Sequence, residues 1–225
     1  MPIGASRLGF WFVPSSPPDP EDPVEQFTNL GFEEGISGWT VAATRIRFNG
    51  LSLLAGFPTP TDPDPQGAGA GDAIVVNTMP TFRYLLNTVD KPPLGQVQSM
   101  HLIMGDPQEG QVNAFGALYG PAIYSNFYVN FNAGDQVAFD WRARPLSDAY
   151  TVFAYMIEKD TGNVINLLRS WGQSSSSGTS WTTTTVNVTT TGAYKFVFVA
   201  GSWDRTGGTI IGGEMLIDNI RRIQP

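Results

Sequence analysis

From about Phe27 onward, apolar and polar residues alternate with the period of two that a half-buried β-strand imposes, because successive side chains point to opposite faces. Val137, Phe139 and Trp141 alternate with Ala138, Asp140 and Arg142, and Tyr194, Phe196 and Phe198 alternate with Lys195, Val197 and Val199. Ala149–Ile157 is instead almost continuous in β-formers, the pattern of a central strand covered on both faces. Trp181–Val188 is threonine-rich and combines high β-propensity with a polar face. Further strands are predicted over Trp39–Phe48, Val97–Met104, Ile123–Phe131 and Met215–Ile223. Turn signals separate them at Asn132-Ala133-Gly134-Asp135, Asp160-Thr161-Gly162-Asn163 and Thr191-Gly192. No segment carries a helical period of ordinary length, and no internal repeat is evident. Many short strands punctuated by glycine and proline predict an all-β, antiparallel β-sandwich of the jelly-roll type.

Two segments depart from this pattern. Residues 1–26 mix Pro14, Pro17, Pro18, Pro20 and Pro23 with Asp19, Glu21, Asp22 and Glu25. Proline removes backbone donors and favours extended geometry, so this stretch reads as a semi-rigid arm ahead of a sandwich spanning 27–225. Phe10, Trp11 and Phe12 stand at its far end, preceded by Arg7. Two arrangements satisfy an aromatic triplet there: a tail folded back on its own sandwich, or a hook set into a neighbouring subunit. The second segment, Phe57–Asp72, contains Pro58, Pro60, Pro63 and Pro65 and then Gly67, Gly69 and Gly71. It reads as a long surface loop, either passive or facing a partner or ligand.

Composition narrows the function classes. The net charge of −7 argues against nucleic acid, which needs Lys and Arg to displace counterions, and against an anionic membrane surface. With no cysteine, disulfides and thiolate metal sites are excluded. The start of the chain lacks a signal-peptide pattern, and no apolar run is long enough to insert into a membrane.

Little in the chain points to catalysis. His101 is the single histidine, so a Ser-His-Asp site would have to use it, and it falls inside a predicted strand, where a structural role fits better. Glu33, Glu34, Asp140, Asp148, Asp204, Glu214 and Asp218 supply carboxylates, but nothing in their spacing pairs two across a sugar. The expectation is a non-enzymatic protein. Sugar binding needs aromatic faces with polar groups around them, and Trp39, Trp141, Trp171, Trp181, Trp203, Tyr119, Tyr124, Tyr128 and Tyr150 are available. Trp39 and Trp141 read as core, whereas Trp171, beside the serine loop, reads as the best exposed candidate for carbohydrate.

Four phrases carry a family resemblance: Asn29-Leu30-Gly31-Phe32-Glu33 leading to Gly38-Trp39-Thr40; Gly120-Pro121-Ala122-Ile123-Tyr124-Ser125 leading to Ala133 through Trp141; Asp148–Tyr155; and Ala200–Asp204 followed by Leu216-Ile217-Asp218-Asn219-Ile220. Over roughly 27–223 the chain resembles jelly-roll domains of the carbohydrate-binding-module type, as found in bacterial and phage proteins. In such modules the first-strand glutamate and an aspartate of the last strand help hold a structural Ca2+, which implicates Glu33 and Asp218. A capped turn at Glu33 and a hydrogen bond or salt bridge at Asp218 are the plainer alternatives. The opening Met1-Pro2-Ile3-Gly4-Ala5-Ser6-Arg7 resembles the start of structural proteins of marine tailed phages.

Together these imply a bacteriophage virion structural protein, either a capsid decoration or a tail or baseplate component. It would dock onto other virion proteins through Arg7, Phe10, Trp11 and Phe12, and a homo-oligomer is expected with it, since decoration and tail proteins usually form closed oligomers. A carbohydrate-binding or adhesion module with structural calcium is the alternative. The two are compatible if the displayed sandwich binds a host surface glycan.

Overall fold

The computed structural model describes residues 29–42, 45–47, 75–76, 82–93, 97–104, 116–145, 149–172, 178–204 and 213–224. Among these residues every regular element is a strand, arranged as two antiparallel sheets. The eight-stranded sheet runs β10 (Val164–Gly172), β9 (Ala149–Glu158), β12 (Gly192–Asp204), β6 (Gly116–Ser125), β2 (Arg45–Arg47) and β3 (Val75–Val76). In the same sheet β1 (Trp39–Ala42) pairs with β6, and β7 (Val129–Phe131) pairs with β12. The five-stranded sheet runs β11 (Thr182–Asn187), β8 (Gln136–Pro145), β13 (Gly213–Ile223), β5 (Ser99–Met104) and β4 (Phe82–Asn87).

The alternating residues define the core. Val137, Phe139 and Trp141 of β8 meet Phe196 and Phe198 of β12 between the sheets, with the Phe139 and Phe198 rings 5.3 Å apart edge to face. Each such side chain contributes about 1.5–3 kcal/mol on burial. Trp39 joins them from β1, its ring 5.0 Å from Phe32 and 6.2 Å from Phe198. The β9 run is buried from Tyr150 through Met156, with β10 on one side and β12 on the other, as its continuous apolar sequence implies. Tyr194 donates its hydroxyl to the Thr190 carbonyl at 2.7 Å, which fixes the turn into β12.

The jelly-roll sandwich expected from the alternation is therefore the fold, with differences in detail. Within Trp39–Phe48 the described residues form β1 and β2, and Ile123–Phe131 divides into the end of β6 and β7. Neither β4 nor β10 stands out in the sequence. A bulge between Asn166 and Leu168 breaks the period of β10, and β4 lies at the edge of its sheet, paired with β5 alone. The arm over 1–26 and the Phe57–Asp72 loop lie outside the described residues.

Candidate functional site

The Asn-x-Gly-Phe-Glu phrase builds a turn that is stapled to the last strand. The Asn29 amide donates to the Gly35 and Ser37 carbonyls at 3.1 and 2.7 Å, and its Oδ1 accepts the Glu34 N–H at 2.9 Å. The Trp39 indole N–H donates to the Asn29 carbonyl at 3.1 Å. Gly38 has φ 77°, a conformation costly for any side chain but open to glycine, and this turns the chain into Trp39. Phe32 takes φ 57° despite its bulk and is fully buried, so core burial offsets the backbone cost. That geometry aims Glu33 at the segment entering β5, where its Oε1 accepts the Val97 and Gln98 N–H groups at 2.8 and 3.4 Å.

The facing side comes from β13. A bulge separates Asp218 from Arg221 in its pairing with β8, and Asn219 sits in the left-handed region at φ 52°. The bulge turns the Asn219 amide toward β8, where Nδ2 donates to Asp140 Oδ2 at 2.9 Å. Asp140 Oδ1 accepts the Thr183 hydroxyl at 2.6 Å, and Arg221 Nη1 lies 3.6 Å from the same oxygen while donating to the Asn219 carbonyl at 2.7 Å.

Between these parts opens a cleft of about 680 Å³. Asn29, Leu30, Gly31 and Glu33 line one side, Pro92 and Pro93 another, and Asp140, Asn219, Ile220 and Arg221 with Trp181, Thr182 and Thr183 the rest. One aromatic ring thus shares a concave surface with a planar amide, a carboxylate and a guanidinium that brace one another. Such a set can stack on an apolar face and exchange hydrogen bonds with hydroxyl groups.

Asp218 lies next to the cleft wall and is fully buried. Its Oδ1 accepts the Asn219 N–H at 2.7 Å, whereas Oδ2 has no hydrogen-bond partner. Burial, reinforced by the charges of Glu33 and Asp140, pushes its pKa up to about 7 against the opposing Asn219 N–H and Lys91. Glu33 and Asp218, singled out in the sequence, are thus brought within electrostatic reach of each other. An unpartnered buried carboxylate oxygen beside a second carboxylate fits one edge of a Ca2+ shell, which takes roughly six to eight oxygens. Among the described residues no three His, Asp or Glu side chains gather to hold an ion. Backbone carbonyls and water would complete such a shell.

The other expected residues lie elsewhere. Trp171 is on β10, opposite Thr151 of β9 in the eight-stranded sheet, half-buried and not among the residues that line the cleft. Trp181, rather than Trp171, stands at the cleft; its position just before the polar β11 gave little reason to single it out. His101 is buried in β5, its Nε2 3.2 Å from Glu214 Oε2 but off the axis of a hydrogen bond, and its Nδ1 3.3 Å from the Asn87 amide. Arg7, Phe10, Trp11 and Phe12 lie outside the described residues.

No known protein family matches this sequence, and no curated protein matches it either. Solved structures with a similar shape include one described as the structural basis for the promiscuous specificity of carbohydrate-binding modules from the β-sandwich superfamily. It is 10% identical, with a TM-score of 0.44, over 87% of this chain and 61% of that one. A second is the enzymatically active domain of tailspike protein 4 of bacteriophage CBA120, 14% identical with a TM-score of 0.42, over 87% of this chain and 20% of that one. A third is the family 11 carbohydrate-binding module from Clostridium thermocellum with a β-1,3-1,4-mixed-linked tetrasaccharide, 9% identical with a TM-score of 0.37, over 85% of this chain and 92% of that one. The chain thus spans less than two thirds of the first two.

Proposed function

We propose that the sandwich is a non-catalytic glycan-recognition module whose site is the cleft between the Asn29–Glu33 turn and the β13 bulge. The observation that carries this reading is the shared surface of Trp181 with Asp140, Asn219 and Arg221, an aromatic face among mutually braced polar groups. Glu33 and Asp218 would hold a structural Ca2+ that fastens the turn to the last strand. Residues 1–26 would attach the module to a bacteriophage particle, as a capsid decoration or as part of the tail or baseplate, where it would meet a host surface glycan.

The test is a glycan array on the full chain, followed by fluorescence titration of wild type, Trp181→Ala and Trp171→Ala. Binding lost in Trp181→Ala and kept in Trp171→Ala supports the cleft. The reverse moves the site to β10 of the other sheet. An array silent for every glycan removes the reading.

A second reading is favoured by the aromatic triplet Phe10-Trp11-Phe12 at the end of a proline-rich spacer. In it the protein is a purely structural virion component held by that hook. Normal incorporation into particles after Trp11→Ala would overturn this.

A further inference from the structure

We infer that Asp90 is the positioning residue of the cleft: through it, residues 88–93 form a strap across the five-stranded sheet that fixes Trp181 for stacking on a sugar ring. The stacking step rests on the glycan reading; the strap itself does not.

The strap begins where Asn87 ends β4. Asn87 Oδ1 accepts the Val89 and Asp90 N–H groups at 3.0 and 2.9 Å, which turns the chain sharply. The Ser99 hydroxyl then donates to the Asp90 carbonyl at 2.8 Å, closing the base of the strap on β5. From there the Asp90 carboxylate reaches over β13, which lies between β5 and β8. Its Oδ1 accepts the Trp181 indole N–H at 2.8 Å and Arg142 Nη1 at 3.0 Å. Its Oδ2 accepts Arg142 Nη1 at 2.9 Å and pairs with Arg144. Arg142 is itself held by the Thr179 carbonyl at 2.9 Å.

One side chain, only 14% exposed, therefore joins the β4–β5 connection to β8 and to the residue before β11. A largely buried carboxylate carries a desolvation cost, which its bonds to the two guanidinium groups and the indole offset. The distinctive result is an indole locked by a charge-assisted hydrogen bond, with Pro92 and Pro93 set beside it in the cleft lining. A ring immobilised before binding loses less entropy when a ligand stacks on it.

The experiment uses the full chain as wild type, Asp90→Ala, Asp90→Asn, Trp181→Phe and the Asp90→Ala/Trp181→Phe double variant. Each is followed by the 15N-indole spectrum, by acrylamide quenching of tryptophan, and by titration with xylotetraose and cellotetraose. The expected result is that Asp90→Ala moves the Trp181 indole resonance, raises its quenching and weakens glycan binding by about tenfold, the equivalent of one decade in Kd. Asp90→Asn, which keeps an acceptor for the indole, falls between. The double variant loses less affinity than the sum of its parts, the signature of two residues acting together. An unchanged Trp181 resonance and quenching in Asp90→Ala overturns the strap. If neither oligosaccharide binds wild type while the resonance and quenching respond to Asp90→Ala, the strap stands and the stacking role falls with the glycan reading for these sugars. Strictly additive affinity losses would also overturn the positioning role.

Discussion

The backbone N–H of Ile220 donates to the carbonyl of Leu30 at 3.1 Å, joining the turn that opens the described sandwich to the strand that ends it. Ile220 lies where β13 bulges between Asp218 and Arg221 and its register with β8 is interrupted. The two phrases that bracket the domain in sequence are therefore one structural unit, and the cleft is the space it leaves beside Trp181.

Asn29 organises that unit with three side-chain hydrogen bonds. Asn29→Ala is expected to lower stability by about 2–3 kcal/mol, since partly buried donors and acceptors of the turn lose their partners together. Chemical denaturation with an unchanged m-value checks it. A loss under about 0.5 kcal/mol, the range of ordinary surface substitutions, would show that the turn forms without the asparagine.

Much of the fold was legible in its β-formers and turn signals, but the half-buried alternation expected of β8 and β12 is not what the strands show: Ala138 and Asp140, and Val197 and Val199, are buried along with Val137, Phe139, Phe196 and Phe198. Val137, Phe139 and Trp141 could be assigned to one face without any knowledge of their partners. β10 was hidden by its bulge at Asn166–Leu168, which places Leu167 and Leu168 out of phase. Of the residues at the cleft and beside it, the family phrases pointed to Glu33 and Asp218. Trp181 and Asp90 were not legible, since 91 residues separate them in sequence and only the sheet order brings them together. Long-range pairing of a strap with a sheet leaves no local period to read.

Asp218 gives the folded chain a pH dependence in the absence of calcium. Its pKa rises from 3.8 to about 7 on folding. Between those values the native state holds a proton that the unfolded chain has released, so stability falls as pH rises through this window and levels off above it. Asp218→Asn should abolish the fall and, in chelator at pH 8, exceed wild type by on the order of 2–4 kcal/mol. With calcium present the order should reverse, because an ion bound only by the native wild type stabilises it by mass action. Melting curves of both proteins in calcium and in chelator decide the matter. A wild-type melt indifferent to chelator would remove the metal.

Glu158 acts with the opposite sign. Its carboxylate accepts the Thr161 hydroxyl and the Thr161 N–H at 2.6 Å each and the Asp160 N–H at 3.1 Å. Those bonds, the Thr161 hydroxyl foremost, hold its pKa below the ordinary 4.5. It therefore stabilises the fold above that value and ceases to as pH falls through its lowered pKa. Thr161→Val should flatten the acid limb of the stability profile and leave stability at pH 8 less affected than Glu158→Ala does.

Gly213 of β13 lies against Gly201 of β12, on the facing sheet. A Cβ placed there would clash with the Gly201 carbonyl oxygen, a backbone atom that cannot swing aside. Gly213→Ala should cost about 1–3 kcal/mol through forced separation of β13 from β12. Gly134→Ala provides the contrast: its Cβ meets nothing within 4 Å, and only its φ of 100° opposes the change. A loss under about 0.5 kcal/mol in Gly213→Ala would show that the sheets part there at little cost.

The leader is tested by mass and by assembly. If Phe10, Trp11 and Phe12 fill an apolar groove on a neighbouring virion protein, the free full-length chain carries an unsatisfied aromatic hook, and it should self-associate more than residues 27–225 do. Light scattering after size exclusion compares the two. On the same reading Trp11→Ala should reduce incorporation into particles while leaving the melting temperature of the sandwich unchanged, because the hook would contribute to docking and not to the core. A melting temperature that drops with Trp11→Ala would mean instead that the leader packs on its own sandwich. The aromatic triplet would then be part of the fold, and the docking-arm reading would fall.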